Sequence, residues 1–241
     1  MTRLFTLAWL WFCVPLAASA GTVTVAVAAN FLPTLQTMAP VFAAETGHRL
    51  RFVHGSSGRL YAQILARAPF DMFLSADTAR ADALLAAGIG RDRRSYAIGR
   101  LVLVGPAPAI EGTLPDILSR HRIAVADPAV APYGRAAFEL LAALGLDAGQ
   151  LRLVRGETIA QAALFVATGN AELGLLARSL APAVLDGRDL AQRAIPSALH
   201  APIRQDAILL SDTPAAQSFW RWLDSPAADT ILVAAGYEVP D

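Results

Sequence analysis

Thr22-Val23-Thr24-Val25-Ala26-Val27-Ala28-Ala29-Asn30 is the stretch on which the reading of this chain turns. Its apolar run is nearly continuous, as in a strand buried on both faces of a parallel sheet. It runs into two alanines and an asparagine, and a helical pattern follows at Leu32–Thr46. Leu35, Met38, Val41 and Phe42 fall at helical spacing there, and Gly47 ends the run. The same junction recurs where Leu50-Arg51-Phe52-Val53 leads to Gly55-Ser56-Ser57-Gly58 and a helix over Gly58–Arg67. Fainter copies lie at Pro132-Tyr133-Gly134 and Glu157-Thr158-Ile159. Each junction sets free helix N–H groups, a hydroxyl or an amide at the carboxyl end of a strand. Such ends hold an anion without a charged side chain. Several of them aimed at one cleft would form an oxyanion receptor.

Outward from that stretch, strands and helices alternate. Asp71-Met72-Phe73-Leu74 predicts a third strand, and Ala79–Ala87 a helix closed by Gly88. Tyr96–Val104 reads as one longer strand broken by Gly99. The pattern then restarts, with strands at Ile123–Ala126, Leu151–Val154 and Leu173–Leu176 and helices at Ala136–Leu144 and Ile159–Thr168. A strand at Ala207–Leu210 and helices at Thr213–Leu223 and Ala227–Ala235 close the chain. The fold class is α/β, with parallel βαβ units in two lobes. Three strands are few for the first sheet, so the C-terminal segment is expected to return to it. Lobe 1 is then 21–101 plus 206–241 and lobe 2 is 102–205, with hinge crossings near Leu101–Val104 and Ile203–Ala207.

The first 20 residues are read as an export signal rather than part of the fold. Arg3 precedes an apolar run from Leu4 to Leu16, and Ala18-Ser19-Ala20 fits the cleavage rule, which makes Gly21 the mature start. The apolar run is short for a membrane span of about 20 residues. The single cysteine, Cys13, lies in this segment, so the mature chain has neither disulfide nor thiol nucleophile. An exported chain without cysteine suits a bacterial periplasm and a core that needs no staples. Charge is balanced, with 20 basic and 20 acidic residues; losing Arg3 leaves 19 against 20, a net of −1. Every basic residue other than histidine is an arginine. Without a basic stripe, nucleic acid is not an expected partner.

The sequence carries no catalytic or metal-binding motif. Gly55-Ser56-Ser57-Gly58 lacks the spacing of a nucleophile elbow, and a chain without lysine has no phosphate-loop lysine. His48, His54, His121 and His200 are scattered and lack metal-ligand spacing. His54, just before Gly55, could line the cleft, but a merely half-buried histidine describes it better. Asp71 and Asp77 stand six positions apart; a strand start and a helix cap describe them better than paired acid–base catalysis. Asn30, Ser56 and Ser57 have cap roles available to them. The small residues Ala28, Ala29, Gly55 and Gly58 around them, which a cap does not require, let a ligand approach the backbone.

Taken together these residues resemble the molybdate-binding periplasmic proteins that feed ABC transporters, over essentially the whole mature chain. Ala28-Ala29-Asn30-Phe31 is similar to the family's first ligand loop and Gly55-Ser56-Ser57-Gly58-Arg59-Leu60 to its serine-rich second loop. Pro69-Phe70-Asp71-Met72-Phe73-Leu74-Ser75-Ala76-Asp77 matches the characteristic P-x-D-[LV]-F-[IL]-S-A-[DN] run. Asp127-Pro128, Pro132-Tyr133-Gly134 and Leu173-Gly174-Leu175-Leu176 follow in the family's order. The resemblance implies a type II periplasmic binding protein, a monomer that binds molybdate and tungstate and docks on a membrane permease, with no cofactor and no catalysis. It implies ligand contacts from Asn30 and Ser57 in lobe 1 and from Tyr133 and Ile159 in lobe 2, with Ala29 and Ser56 as further candidates. The shell so implied is N–H groups, hydroxyls and one amide. Many members carry a tyrosine where this chain has Ala177, followed by Arg178 and Ser179. The hydroxyl of Tyr133 is the expected replacement. Other small anions, such as sulfate, phosphate or an organic anion, and an enzyme using Asp71, Asp77 or His54 on the same scaffold, are the alternatives.

Overall fold

The computed structural model describes residues 20 to 240; the segment read as an export signal lies outside the described residues, save Ala20. Two five-stranded mixed sheets organise the chain. The first contains β1 (Thr22–Ala28), β2 (Arg49–Gly55), β3 (Met72–Leu74), β4 (Asp92–Gly99) and β10 (Ile203–Leu209), in the order β2-β1-β3-β10-β4. The second contains β5 (Leu101–Gly105), β6 (Ile123–Ala126), β7 (Leu153–Gly156), β8 (Leu173–Ala177) and β9 (Ala191–Ala194), in the order β7-β6-β8-β5-β9. In each sheet three strands run parallel, and the fourth in order runs antiparallel to the third. The expected two-lobed α/β architecture is therefore present, and the late strand β10 does return to the first sheet.

The alternation along β1 sorts the core. Val23, Val25 and Val27 pack on one side with Leu35, Met38 and Phe42 of α1 (Leu32–Thr46). The same cluster takes in Phe219 and Trp222 of α8 (Pro214–Trp222) and Leu232 of α9 (Pro226–Ala234). Ala26 packs on the other side with Leu60 and Ile64 of α2 (Ser57–Leu65) and Leu84 of α3 (Ala79–Ala86). Both faces are covered, so the strand has no solvent side and needs no polar alternation. The second sheet is enclosed in the same way by α4 (Leu114–Arg120), α5 (Pro132–Ala143), α6 (Ile159–Ala167) and α7 (Ala181–Leu185), around one continuous apolar cluster.

Three details differ from the sequence expectation. The stretch over Tyr96–Val104 is not one broken strand. β4 ends at Gly99 in the first sheet and β5 begins at Leu101 in the second, so Arg100 makes the first crossing. The return crossing falls between Ala194 and Ile203, because β10 starts four residues earlier than the apolar run suggests. Its register against β4 shifts between Gln205 and Asp206, a bulge that accommodates the polar start of the strand. β9 and the short helices α4 and α7 were not anticipated.

Candidate functional site

The four junctions meet. Asn30, Ser56, Ser57, Tyr133 and Ile159 line one cleft between the lobes, with small residues Ala28, Ala29, Gly55, Ala76 and Ala131 between them. No ionisable side chain except the Tyr133 phenol is among its lining residues. Local hydrogen bonding explains why donors point into it. After β1, the Ala29 N–H continues the ladder to the Gly55 carbonyl at 2.9 Å, and the Phe31 N–H turns back to Ala28 at 2.8 Å. The N–H of Asn30, between them, has no partner among the described residues. The N–H of Ala29, one of the further candidates, is thus already spent within the sheet.

At the second junction Ser56 is the N-cap of α2 and Ser57 its first residue. Thr113, Thr158, Thr213 and Ser225 sit at the same place on their helices, and each accepts a hydrogen bond from the N–H three residues on. Ser56 does not. Its hydroxyl is buried and has no hydrogen-bond partner among the described residues. A buried hydroxyl without a partner costs about 1–3 kcal/mol, which marks this oxygen as waiting for one. The Ser57 hydroxyl accepts the Ala76 N–H at 2.9 Å and keeps its own proton free to donate.

From the second lobe come two more helix starts. Tyr133 is the second residue of α5 and Ile159 the first of α6, where N–H groups have no intrahelical acceptor. Thr158 caps α6 through Gln161 at 3.0 Å, which leaves the Ile159 N–H free. α2, α5 and α6 point their N-termini, and so their positive dipole ends, at the same space.

Behind this donor face lies a buried network that the sequence did not reveal. The Asn30 side-chain amide donates to Gln205 Oε1 at 3.0 Å and to the Tyr237 hydroxyl at 2.9 Å. Its NH2 group is therefore turned into the protein, against the amide donor expected there, and the Asn30 group left without a partner among the described residues is its backbone N–H. The Tyr133 hydroxyl accepts from Gln205 Nε2 at 3.2 Å. It lies at the hinge, where an added Cβ on Gly99 would come within 2.0 Å of it. The phenol oxygen is thus held by Gln205, and Ser179, two residues after Ala177, donates its hydroxyl to the Asn30 carbonyl at 3.0 Å. Burial above all, and then the neighbouring phenol of Tyr237, push the hydroxyls of Tyr96 and Tyr133 well above the usual tyrosine range. Burial likewise pushes Tyr237 up to about 12. Only separation hides these partners from sequence reading: Asn30 and Gln205 stand 175 residues apart.

The remaining candidates have structural roles. Asp71, just before β3, accepts the Thr24 N–H of β1 at 2.8 Å and the hydroxyl of Ser211, just past β10, at 2.6 Å, tying the two neighbours of β3 together. Asp77 accepts the Arg80 N–H at 3.1 Å and pairs with the Arg80 and Arg135 guanidiniums beside the cleft. His54 is exposed and is not part of the cleft lining, in line with the simpler reading of it. Among the described residues no group of three His, Cys, Asp or Glu could hold a metal ion.

The lobes also touch across the cleft. The Gly58 N–H donates to the Val130 carbonyl at 3.0 Å, Arg80 reaches the Ala129 carbonyl at 3.2 Å, and Arg59 pairs with Glu157. The cleft is thus closed over a ring of neutral donors. The arginines stand at its edge and form no part of its lining.

Fold and site together define a solute receptor. The family model for bacterial extracellular solute-binding proteins matches residues 23–238, and the chain belongs to that family. It is 40% identical to a protein named molybdate-binding protein ModA of Azotobacter vinelandii, over 92% of this chain and 91% of that protein. A Rhodobacter capsulatus protein of the same name is 38% identical over 92% of this chain and 90% of its own length. Among solved structures, the periplasmic molybdate-binding protein of Azotobacter vinelandii superposes with a TM-score of 0.83 at 35% identity, covering 91% of this chain and all of that one.

Proposed function

We propose that this chain captures molybdate, and tungstate with it, in the periplasm and delivers the closed complex to an ABC permease. The observation that carries the reading is the convergence of uncharged donors from both lobes: the N–H groups of Asn30, Ser57, Tyr133 and Ile159 and the hydroxyls of Ser56 and Ser57. The names of its relatives accord with this. Such a shell neutralises a tetrahedral dianion with aligned dipoles. It also selects. Phosphate keeps a proton near neutral pH and would need an acceptor, which an all-donor cavity denies it. Sulfate has the right charge on a smaller tetrahedron, so donors spaced for molybdate would be left partly unmet, at about 1–3 kcal/mol for each stranded group.

The ligand bridges both lobes, so it favours the closed state and holds the hinge there; periplasmic binding proteins are a standing case of hinge closure. The chain acts by binding and release, without chemistry. The mature form starts at Gly21 and works as a monomer. A thermal-shift panel of molybdate, tungstate, sulfate, phosphate and small organic anions tests the proposal. Molybdate and tungstate should raise the melting temperature, because they bind only the folded form. A shift with sulfate or phosphate and none with molybdate would assign the receptor to another anion.

A further inference from the structure

We propose that Gln205 is a positioning residue for this oxyanion site, setting the donor loops of both lobes through one buried carboxamide. The proposal rests on the reading that the cleft binds molybdate.

Gln205 is fully buried on β10, one of the two strands of the first sheet that adjoin the hinge crossings, at the bulge where the register shifts. Its oxygen accepts from Asn30 Nδ2 and from the Tyr96 hydroxyl, each at 3.0 Å. Its nitrogen donates to the Tyr133 hydroxyl at 3.2 Å. One side chain therefore contacts the residue whose N–H serves the site from the first lobe and the residue whose N–H serves it from the second. Gly99 on β4, opposite Ile203 and so two residues from the level of Gln205, leaves the room: an added Cβ would stand 2.0 Å from the Tyr133 oxygen and 2.8 Å from Gln205 Nε2. Tyr237 completes the arrangement, donating to the Asn30 carbonyl or to Ser179 Oγ, each 2.9 Å away.

The chemistry of the position is particular to an amide. It must accept two hydrogen bonds and donate one in the same place. Leucine does neither. A glutamate accepts when ionised but cannot donate to Tyr133, and it brings a negative charge beside a dianion. The groups facing Gln205 are the phenols of Tyr96, Tyr133 and Tyr237 and the Asn30 amide, none of them charged. The nearest carboxylate in sequence, Asp206, is held by Arg93 and by Ser95 at 2.7 Å.

The experiment is calorimetric titration of the mature chain with sodium molybdate, wild type beside Gln205→Leu and Gln205→Glu, with the ligand-free melting temperature of each. The Leu variant should bind at least about tenfold more weakly, equally at all pH values. The Glu variant should bind best near about pH 6 and lose affinity toward about pH 9, as the buried introduced carboxyl ionises. If the Leu variant does not fold, the pH profile of the Glu variant still decides. A purely structural role would lower both melting temperatures and leave the affinity and its pH profile at the wild-type level, and that result would overturn the proposal. A wild-type chain that does not bind molybdate would instead overturn the functional reading beneath it.

Discussion

Ser56 and Ser57 are neighbours, both buried, and they differ in what they already hold. Ser57 accepts the Ala76 N–H and so serves the fold as well as the site. Ser56 holds nothing among the described residues. Ser57→Ala should therefore weaken molybdate binding by about 1–3 kcal/mol and also lower the ligand-free melting temperature, because it strands the Ala76 N–H. Ser56→Ala should weaken binding by a similar amount and leave the ligand-free protein as stable or more so, since it removes a buried group without a partner. Calorimetry and thermal unfolding of the two variants separate the roles; equal losses of ligand-free stability would refute the distinction. Both serines were legible in the sequence as polar residues at a strand-to-helix junction. Which hydroxyl was free was not legible, since Ser56 has an ordinary cap sequence and departs from the cap only in its bonding.

At the scale of elements, the site is made by helix starts, and these were the most legible part of the chain. An apolar strand ending in small residues before a helical pattern locates each start. The edge strand β9 was missed because Ala191-Gln192-Arg193-Ala194 is short, half-exposed and polar at two positions. The two hinge strands were fused into one because the apolar pattern runs on through Gly99 and Arg100 while the hydrogen bonding changes sheet. Gly58 shows how closely the elements must meet. Its N–H bonds the Val130 carbonyl, and an added Cβ would stand 3.1 Å from that oxygen and 2.9 Å from Arg80 Nη2. Gly58→Ala should thus disfavour closure while favouring the helix, where alanine exceeds glycine by about 1 kcal/mol. The expected outcome is an unchanged or higher ligand-free melting temperature with molybdate affinity lower by about tenfold. Small-angle scattering should show less compaction on adding ligand. Full compaction with wild-type affinity would contradict the account of the cleft mouth.

Across the whole molecule, the three buried phenols tie stability to alkaline pH. In the unfolded chain each tyrosine ionises near 10.0, whereas burial pushes Tyr237 in the fold up to about 12 and holds Tyr96 and Tyr133 well above the usual tyrosine range. The folded state holds these protons more tightly. Its advantage is therefore complete below 10 and declines as pH rises through the window from 10 to 12. The melting temperature should fall over that window, and Tyr237→Phe should make the fall shallower. A flat profile would mean that the phenols are reached by solvent. The two-lobed plan itself was legible because three strands cannot complete the first sheet and the late strand had to return. The network joining the lobes was not legible, because its members, Asn30, Tyr96, Tyr133, Gln205 and Tyr237, stand far apart in the chain and look unremarkable where they stand.

On the proposed reading, neutral dipoles from both lobes, without a charged side chain, grip a molybdate dianion. Calorimetric titration of the mature chain with molybdate, alone and against excess sulfate or phosphate, tests it most directly. The account predicts one molybdate bound per chain, with affinity little reduced by either competitor. Sulfate or phosphate displacing molybdate at comparable concentration, or no heat with molybdate at all, would contradict it.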